Sequence, residues 1–201
     1  MAVRGAGDEL RRIVHVNEEI KSVVATAFKI NLMAMNAIFL AKRAGQTALG
    51  FGVLSNELRR FATDLQQQMA ALREMTYGSV GTVTGMLKQT QLNRVLGRAH
   101  AEAVGVGRKL IDEFLRGHSE VMLQHEESLA ALNRRLTHMI ADTTQLVELG
   151  SVLARSAKIE AAYGGAFSVS LMQVSSDFER TIGEIQRSLE TISKHQSQEV
   201  R

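Results

Sequence analysis

Apolar residues recur at intervals of seven along the first part of the chain, in two rows that share one face of a helix. The first row is Ile13, Ile20, Ala27, Ala34 and Ala41, and the second is Val16, Val23, Ile30, Ala37 and Ala44. Two such rows form the seam of a coiled coil. The rows begin with large side chains and end in alanines, so we expect the helices to approach more closely toward Gly45.

Three later stretches carry apolar rows with the same period. Their first rows are Phe51, Leu58, Leu65 and Leu72; Leu115, Met122, Leu129 and Leu136; and Leu171, Phe178, Ile185 and Ile192. Their second rows are Leu54, Phe61, Gln68 and Met75; Leu132, Met139, Leu146 and Leu153; and Val174, Ile182 and Leu189. The whole pattern predicts four long helices, each with one apolar seam.

The pattern weakens after Met75, where Gly78, Gly81 and Gly85 fall close together beside β-branched residues. Glycine clusters of this kind commonly interrupt a helix. Further along, Gly105 and Gly107 break the pattern again, although the residues between the two breaks look helical. The sequence therefore predicts an irregular, glycine-containing connection over residues 76–108.

The chain also contains an internal repeat, in which matching residues lie 120 positions apart. The matched pairs are Ala34 with Ala154, Ala37 with Ala157, Ala41 with Ala161, Gly45 with Gly165, Ser55 with Ser175 and Arg60 with Arg180. Each copy of the repeat predicts one helical hairpin, with its turn near the matched glycine. The prediction is a single all-α domain over 1–201, a long antiparallel four-helix bundle or coiled coil. Its hairpins occupy 8–75 and 109–199, and both turns lie at the same end.

Composition supports long helices and excludes several kinds of chemistry. The 201 residues contain no proline, which would break a helix interior, and only 4% are aromatic. There is no cysteine, so a disulfide, a zinc–thiolate site and a thiol nucleophile are excluded. No glycine-rich phosphate loop follows a strand, and no arrangement of catalytic residues is recognised. The sequence therefore predicts a protein that is not an enzyme and that holds no cofactor or metal.

Charge and hydropathy argue against nucleic acid and membrane as partners. The net charge of +3 is unevenly distributed, because basic residues prevail in the first half and acidic residues in the second. Basic pairs such as Lys42-Arg43 are too scattered for a nucleic-acid surface. The most apolar stretch, from Ile30 to Ala41, is short and contains Asn31 and Asn36. We therefore expect a soluble cytoplasmic protein, without membrane insertion, as a monomer or homodimer.

The first hairpin turn resembles the signalling tip of bacterial chemoreceptors, the methyl-accepting chemotaxis proteins. The matching residues are Phe28, Asn31, Leu32, Ala34, Asn36, Ala37, Ala41, Arg43, Ala44, Gly45, Gly50, Phe51, Val53, Glu57 and Arg59. The second copy resembles the tip less closely, through Ile159-Glu160-Ala161-Ala162 and Gly165. In that family two identical hairpins form the tip of a homodimer, so this chain resembles such a dimer fused into one polypeptide.

The resemblance implies a signalling or scaffold role in which the tips bind chemosensory proteins. The implied partners are a CheA-like histidine kinase, a CheW-like coupling protein or chemoreceptors themselves. The implied partner-binding residues are Phe28, Asn31, Leu32, Met35, Asn36, Arg43, Val53 and Glu160. The family's tip glutamate is retained as Glu160 but replaced by Leu40 in the first copy. Conversely, the family's arginine is retained as Arg43 but replaced by Tyr163 in the second.

Two alternatives remain open at this point. Phe28, Leu32 and Met35 could be ordinary packing residues rather than a docking surface. The chain could also be a cytoplasmic helical-bundle sensor that binds a small ligand or cofactor between its helices. The residues that would favour a sensor are the stretch 76–108 and two histidines, His118 and His125, which share a helix face. Pairs of adjacent glutamates give no convincing methylation site.

Overall fold

The computed structural model describes the backbone of residues 2–197 and the side chains of residues 7–196. Four α-helices contain most of these residues: α1 (Ala2–Ala44), α2 (Leu49–Glu102), α3 (Val106–Ala162) and α4 (Ser168–Ser197). Short 3₁₀ helices, Gly45–Ala48 and Gly165–Phe167, follow the turns after α1 and α3. No β-strand occurs among the described residues. The all-α prediction is confirmed.

The connection that the sequence predicts over 76–108 is instead helical. α2 continues through all three glycines to Glu102, and only residues 103–105 separate it from α3. Ser79 and Val83 are buried within this part of α2, so packing continues past Gly78 and Gly81. An isolated glycine costs a helix only about 1 kcal/mol, which such packing offsets. The true break is at Gly105, whose φ of 62° favours glycine.

Contacts divide the chain into two compact units, where the sequence predicts a single domain. The first unit comprises Met1–His15 and Glu74–Leu136, and the second comprises Val16–Arg73 and Thr137–Arg201. The second unit contains both copies of the repeat and both predicted tips. The first unit contains the helix ends around the break at residues 103–105.

The core of the second unit is built from repeat-matched residues. The apolar pairs that are buried in both copies include Ala34 with Ala154, Ala37 with Ala157, Ala41 with Ala161, Phe51 with Leu171, Leu58 with Phe178, Leu65 with Ile185 and Leu72 with Ile192. The matched serines Ser55 and Ser175 are also buried, and each donates a hydrogen bond to the carbonyl four residues earlier, at 2.8 and 3.0 Å. The two hairpins therefore contribute equivalent layers to one four-helix core.

Some predicted seam positions are displaced. On α3, Leu146 and Leu153 are only half-buried, while Val147, Ala154 and Ala161 lie in the core. On α2, Leu54 and Gln68 are half-buried, and Ala62 and Met69 replace them. On α3 the buried residues Val147 and Ala154 are smaller than the leucines that precede them, which lie at the edge of the seam.

The two hairpin turns lie side by side at one end of the second unit, as the repeat predicts. Gly45 and Gly165 both adopt a left-handed backbone conformation, with φ of 69° and 55°. A Cβ placed on Gly165 would lie 3.9 Å from the hydroxyl oxygen of Thr47 in the other turn. At the same end, a Cβ on Gly52 would lie 3.4 Å from that of Ala41. α1 and α2 are therefore in van der Waals contact beside the first turn.

We expect Gly45→Ala to lower the free energy of unfolding by about 1–2 kcal/mol, because the left-handed conformation strains any residue with a Cβ. Gly78→Ala is the control, since Gly78 lies inside α2 with open space around it. That substitution should raise the free energy of unfolding by about 0.5–1 kcal/mol. Urea denaturation followed by circular dichroism measures both. Equal effects with the same sign would contradict the left-handed turn.

In the first unit, the end of α2 and the start of α3 form an antiparallel pair of helices. His100 Nε2 lies 2.8 Å from a carboxylate oxygen of Asp112, and a Cβ on Gly85 would lie 3.1 Å from the imidazole of His125. The beginning of α1 joins this pair, because Arg12 donates a hydrogen bond of 3.1 Å to Asn133. These contacts fix which residues of α2 and α3 lie at the same level.

Candidate docking surface at the tip

An exposed apolar row runs along α1 on the side away from the buried seam. Phe28, Leu32, Met35 and Phe39, which we call the tip stripe, have 38–60% of their surfaces exposed. Their spacing of four, three and four residues keeps them on one face of the helix. Single exposed apolar side chains are common, but a continuous row is typical of an interaction site. α1 is therefore apolar on two opposite faces.

Because α1 is apolar on two opposite faces, its mean hydropathy is high. Among the described residues, the helical stretch Gly7–Glu102 contains an 18-residue window with mean hydropathy 1.7, long and apolar enough to cross a membrane. The most apolar window is therefore longer than the segment from Ile30 to Ala41. Only 28% of that window is buried, and core helices of soluble proteins pass the same test. The seam and the tip stripe together account for such a composition.

Polar residues border the tip stripe near the turn. Asn36, Lys42 and Arg43 are exposed on α1, so these side chains are available to a partner. Asn31 is half-buried, and its amide oxygen has no hydrogen-bond partner among the described residues. A buried amide oxygen without a partner is uncommon, because it loses its hydrogen bonds to water.

The remaining predicted site residues lie on other helices. Val53 is exposed on α2, at 62%, together with Leu49 at 59%. Glu160, on α3, is half-buried, and its carboxylate lies against α2 where a Cβ on Gly50 would overlap it. Six of the eight predicted site residues, Arg43 among them, therefore lie along α1. Val53 and Glu160 are separate from them, and Glu160 contacts the neighbouring hairpin.

The sequence reasoning missed Phe39 and Leu49, although both are exposed apolar residues near the turn. Phe39 continues the spacing of Phe28, Leu32 and Met35, so helical periodicity alone could have identified it. The family motif does not single out this position.

The repeat shows that the two halves of the tip differ in surface chemistry. At an offset of 120, the positions equivalent to the tip stripe are Glu148, Val152, Arg155 and Ile159. Two apolar residues have become charged, so the equivalent face of α3 is mixed. Tyr163, which replaces Arg43, is 73% exposed. The buried residues of the second unit therefore follow the repeat, whereas its exposed residues do not.

The described residues contain no cluster of three or more histidines, aspartates or glutamates that could hold a metal ion. The depressions on the second unit, one beside Ala162 and Met172 and another between α3 and α4 near Glu148 and Gln186, are open to solvent rather than enclosed. His118 is half-buried and stacks on Phe114 of its own helix, with ring centres 3.9 Å apart. These features do not form a ligand chamber.

Similarity to known proteins points to one class, the chemoreceptor-type signal transducers. No protein-family model matches the chain, and no solved structure gives a significant match. A protein named as a sensory transducer in Acetivibrio thermocellus is 31% identical over 102 residues, which are 51% of this chain and 16% of that protein. The recognition of a chemoreceptor-like chain is therefore supported by sequence similarity.

Two further relatives carry the name methyl-accepting chemotaxis protein. One, from Synechocystis sp., is 28% identical over 125 residues, 59% of this chain and 12% of that protein. The other, McpN of Pseudomonas aeruginosa, is 24% identical over 161 residues, 75% of this chain and 30% of that protein. The chain thus spans less than a third of the length of each relative, and the similarity concerns a part of those proteins.

Proposed function

We propose that this chain is a non-enzymatic, cytoplasmic signalling protein of the chemosensory kind that docks on its partners through the tip stripe. The observation that carries the proposal is the row of four exposed apolar side chains opposite the buried seam of α1. Its aromatic and methionine content suits an interface, where such residues are enriched. The names of the relatives place similar sequences in chemotaxis and sensory transduction.

The partners that fit are those implied by the resemblance: a CheA-like kinase, a CheW-like coupling protein or a chemoreceptor. Lys42 and Arg43 flank the stripe at the turn and are exposed. Basic residues at the rim of an apolar patch favour a partner surface with acidic residues around its own apolar centre. Arg43→Glu should therefore weaken binding mainly by slowing association, with a marked dependence on salt.

A charged residue in the tip stripe provides the principal test. We expect Phe39→Glu to raise the dissociation constant for a CheW-like or CheA-like partner by about 30-fold or more, because an aromatic hot-spot residue of an interface contributes roughly 2 kcal/mol. Isothermal titration calorimetry with the proteins of the same organism measures this change. Since Phe39 is 60% exposed, the melting temperature should stay nearly the same.

Ile159→Glu is the matched control. Ile159 is the repeat equivalent of Phe39 and is 63% exposed, but it lies on the mixed face of α3. Its substitution should leave the dissociation constant within a factor of about three, a typical result for a position outside an interface. Equal losses in both variants would contradict a one-sided docking surface. A wild-type chain that binds none of these proteins would overturn the proposed function.

A further inference from the structure

Methionine is the only residue that carries sulfur in this chain. The sequence contains nine methionines and no cysteine. The thioether of methionine is a common target of oxidants, which convert it to a polar sulfoxide. Because no thiol competes for an oxidant, the exposure of each methionine decides where the chain is oxidised first.

Among the methionines whose side chains the structure describes, Met35 alone is exposed, at 38% of its surface. The others are half-buried or, like Met69, fully buried. Met35 belongs to the tip stripe, in which Leu32 lies about one turn before it and Phe39 about one turn after it on the same face of α1. The exposed methionine thus lies within the candidate docking surface.

Met33, only two residues away on α1, has a different environment. Its side chain is half-buried, and its sulfur accepts a hydrogen bond of 3.9 Å from the hydroxyl of Thr181, a buried residue of α4. An oxidant attacks a lone pair of the sulfur, and this hydrogen bond occupies one of them. Positions 33 and 35 are separated by about 200° around the helix. Met33 is therefore shielded by packing, whereas Met35 is open to an oxidant.

We propose that Met35 is a site of reversible oxidation by hydrogen peroxide, which lowers the affinity of the tip stripe for its partners. This inference rests on the proposed function, because the tip stripe is the surface that changes. The sulfur lone pair attacks one oxygen of the peroxide, so that an S–O bond forms while the O–O bond breaks. The departing hydroxide takes the proton of the transferred oxygen and leaves as water. Sulfur loses two electrons, and the peroxide gains them.

The sulfoxide changes the chemistry of the docking surface. Its oxygen accepts hydrogen bonds from water, and a partner that covers Met35 with apolar groups must remove that water. Oxidation should therefore raise the dissociation constant of the partner at least about tenfold. Reduction by a methionine sulfoxide reductase reverses the change. The second hairpin carries Arg155 at the equivalent position and cannot respond in this way.

Mass spectrometry tests the oxidation site without any partner. Trypsin cleaves after Lys29 and Lys42, so residues 30–42 form one peptide that contains both Met33 and Met35. After brief treatment of the folded chain with hydrogen peroxide, fragment ions should show sulfoxide forming about tenfold faster at Met35 than at Met33. In a chain unfolded in urea before treatment, the two rates should be equal. Equal rates in the folded chain would overturn the proposal.

Isothermal titration calorimetry with a CheW-like or CheA-like partner tests the effect on docking. The peroxide is destroyed with catalase before the partner is added, so that only this chain is oxidised. The treated wild-type chain should bind at least about tenfold more weakly than the untreated chain, and methionine sulfoxide reductase should restore binding. Met33→Leu retains Met35 and should respond in the same way. Met35→Leu, compared with its own untreated form, should change by less than about twofold.

The outcomes separate this proposal from the proposed function. If peroxide leaves the affinity of the wild-type chain unchanged, or lowers that of Met35→Leu equally, oxidation at Met35 does not control docking. The circular dichroism spectrum should be the same before and after treatment, because Met35 is exposed. A loss of helical signal would replace local oxidation by unfolding as the cause. An untreated chain that binds none of these partners would overturn the proposed function, while the mass spectrum still decides whether Met35 is the oxidised site.

Discussion

Phe178→Ala is expected to lower the free energy of unfolding by about 3–5 kcal/mol, the usual cost of removing a buried phenylalanine ring. Phe178 is fully buried on α4 in the core of the second unit. Removal of the ring leaves a cavity in the core. The surrounding helices can close it only in part, because they are held at both tip turns. Urea denaturation monitored by circular dichroism gives the difference in unfolding free energy. A loss below about 1 kcal/mol would contradict this packing.

Two variants make the measurement specific. Leu58→Ala removes the repeat equivalent of Phe178 and should cost about 2–5 kcal/mol. Val169→Ala, also on α4 but 81% exposed, should change the free energy of unfolding by no more than about 0.5 kcal/mol. Similar losses at Leu58 and Phe178 would show that both hairpins contribute equally to one core. A loss at only one of them would mean that the hairpins unfold separately.

Enlarging an alanine at the tip is expected to be nearly as damaging. Ala37→Leu should lower the free energy of unfolding by about 1–3 kcal/mol, because the alanine is fully buried and a larger side chain forces the surrounding helices apart. Ala157→Leu, at the equivalent position on α3, should have a similar effect. Thermal denaturation measures both.

Ala25→Leu is the control for this pair, since Ala25 is exposed on the same helix as Ala37. It should leave the free energy of unfolding within about 0.5 kcal/mol of the wild-type value. If Ala37→Leu were equally harmless, the helices at the tip would be farther apart than the alanine rows and the contact between Gly52 and Ala41 indicate.

The first helix and the two turns could be predicted from the sequence because their signals are local. Nine of the ten predicted seam residues of α1 are buried, Ala44 alone being half-buried beside the turn. Gly45 and Gly165 combine the end of an apolar pattern with a residue that tolerates positive φ. The internal repeat then brought the turns together, because two matched hairpins share one core.

The rest depended on tertiary packing that one sequence does not reveal. Glycine in α2 predicts a break by local propensity, but the burial of Ser79 and Val83 overrides that propensity. The α3 seam was misplaced because alanine and threonine are less conspicuous than leucine, although the close approach of helices selects them. At the candidate site, the contact of Glu160 with Gly50 depends on the distance between two hairpins. No spacing within the sequence encodes that distance.

The unequal surfaces of the two hairpins have a genetic consequence. In a tip built from two identical chains, each change in the gene alters both halves together, so a substitution that helps one contact is imposed on its symmetric copy. Here one polypeptide supplies both halves, and their codons are independent. The matched core residues share a pattern, while Phe39 and Ile159, or Arg43 and Tyr163, differ. Selection can therefore adjust one outer face while leaving the other unchanged.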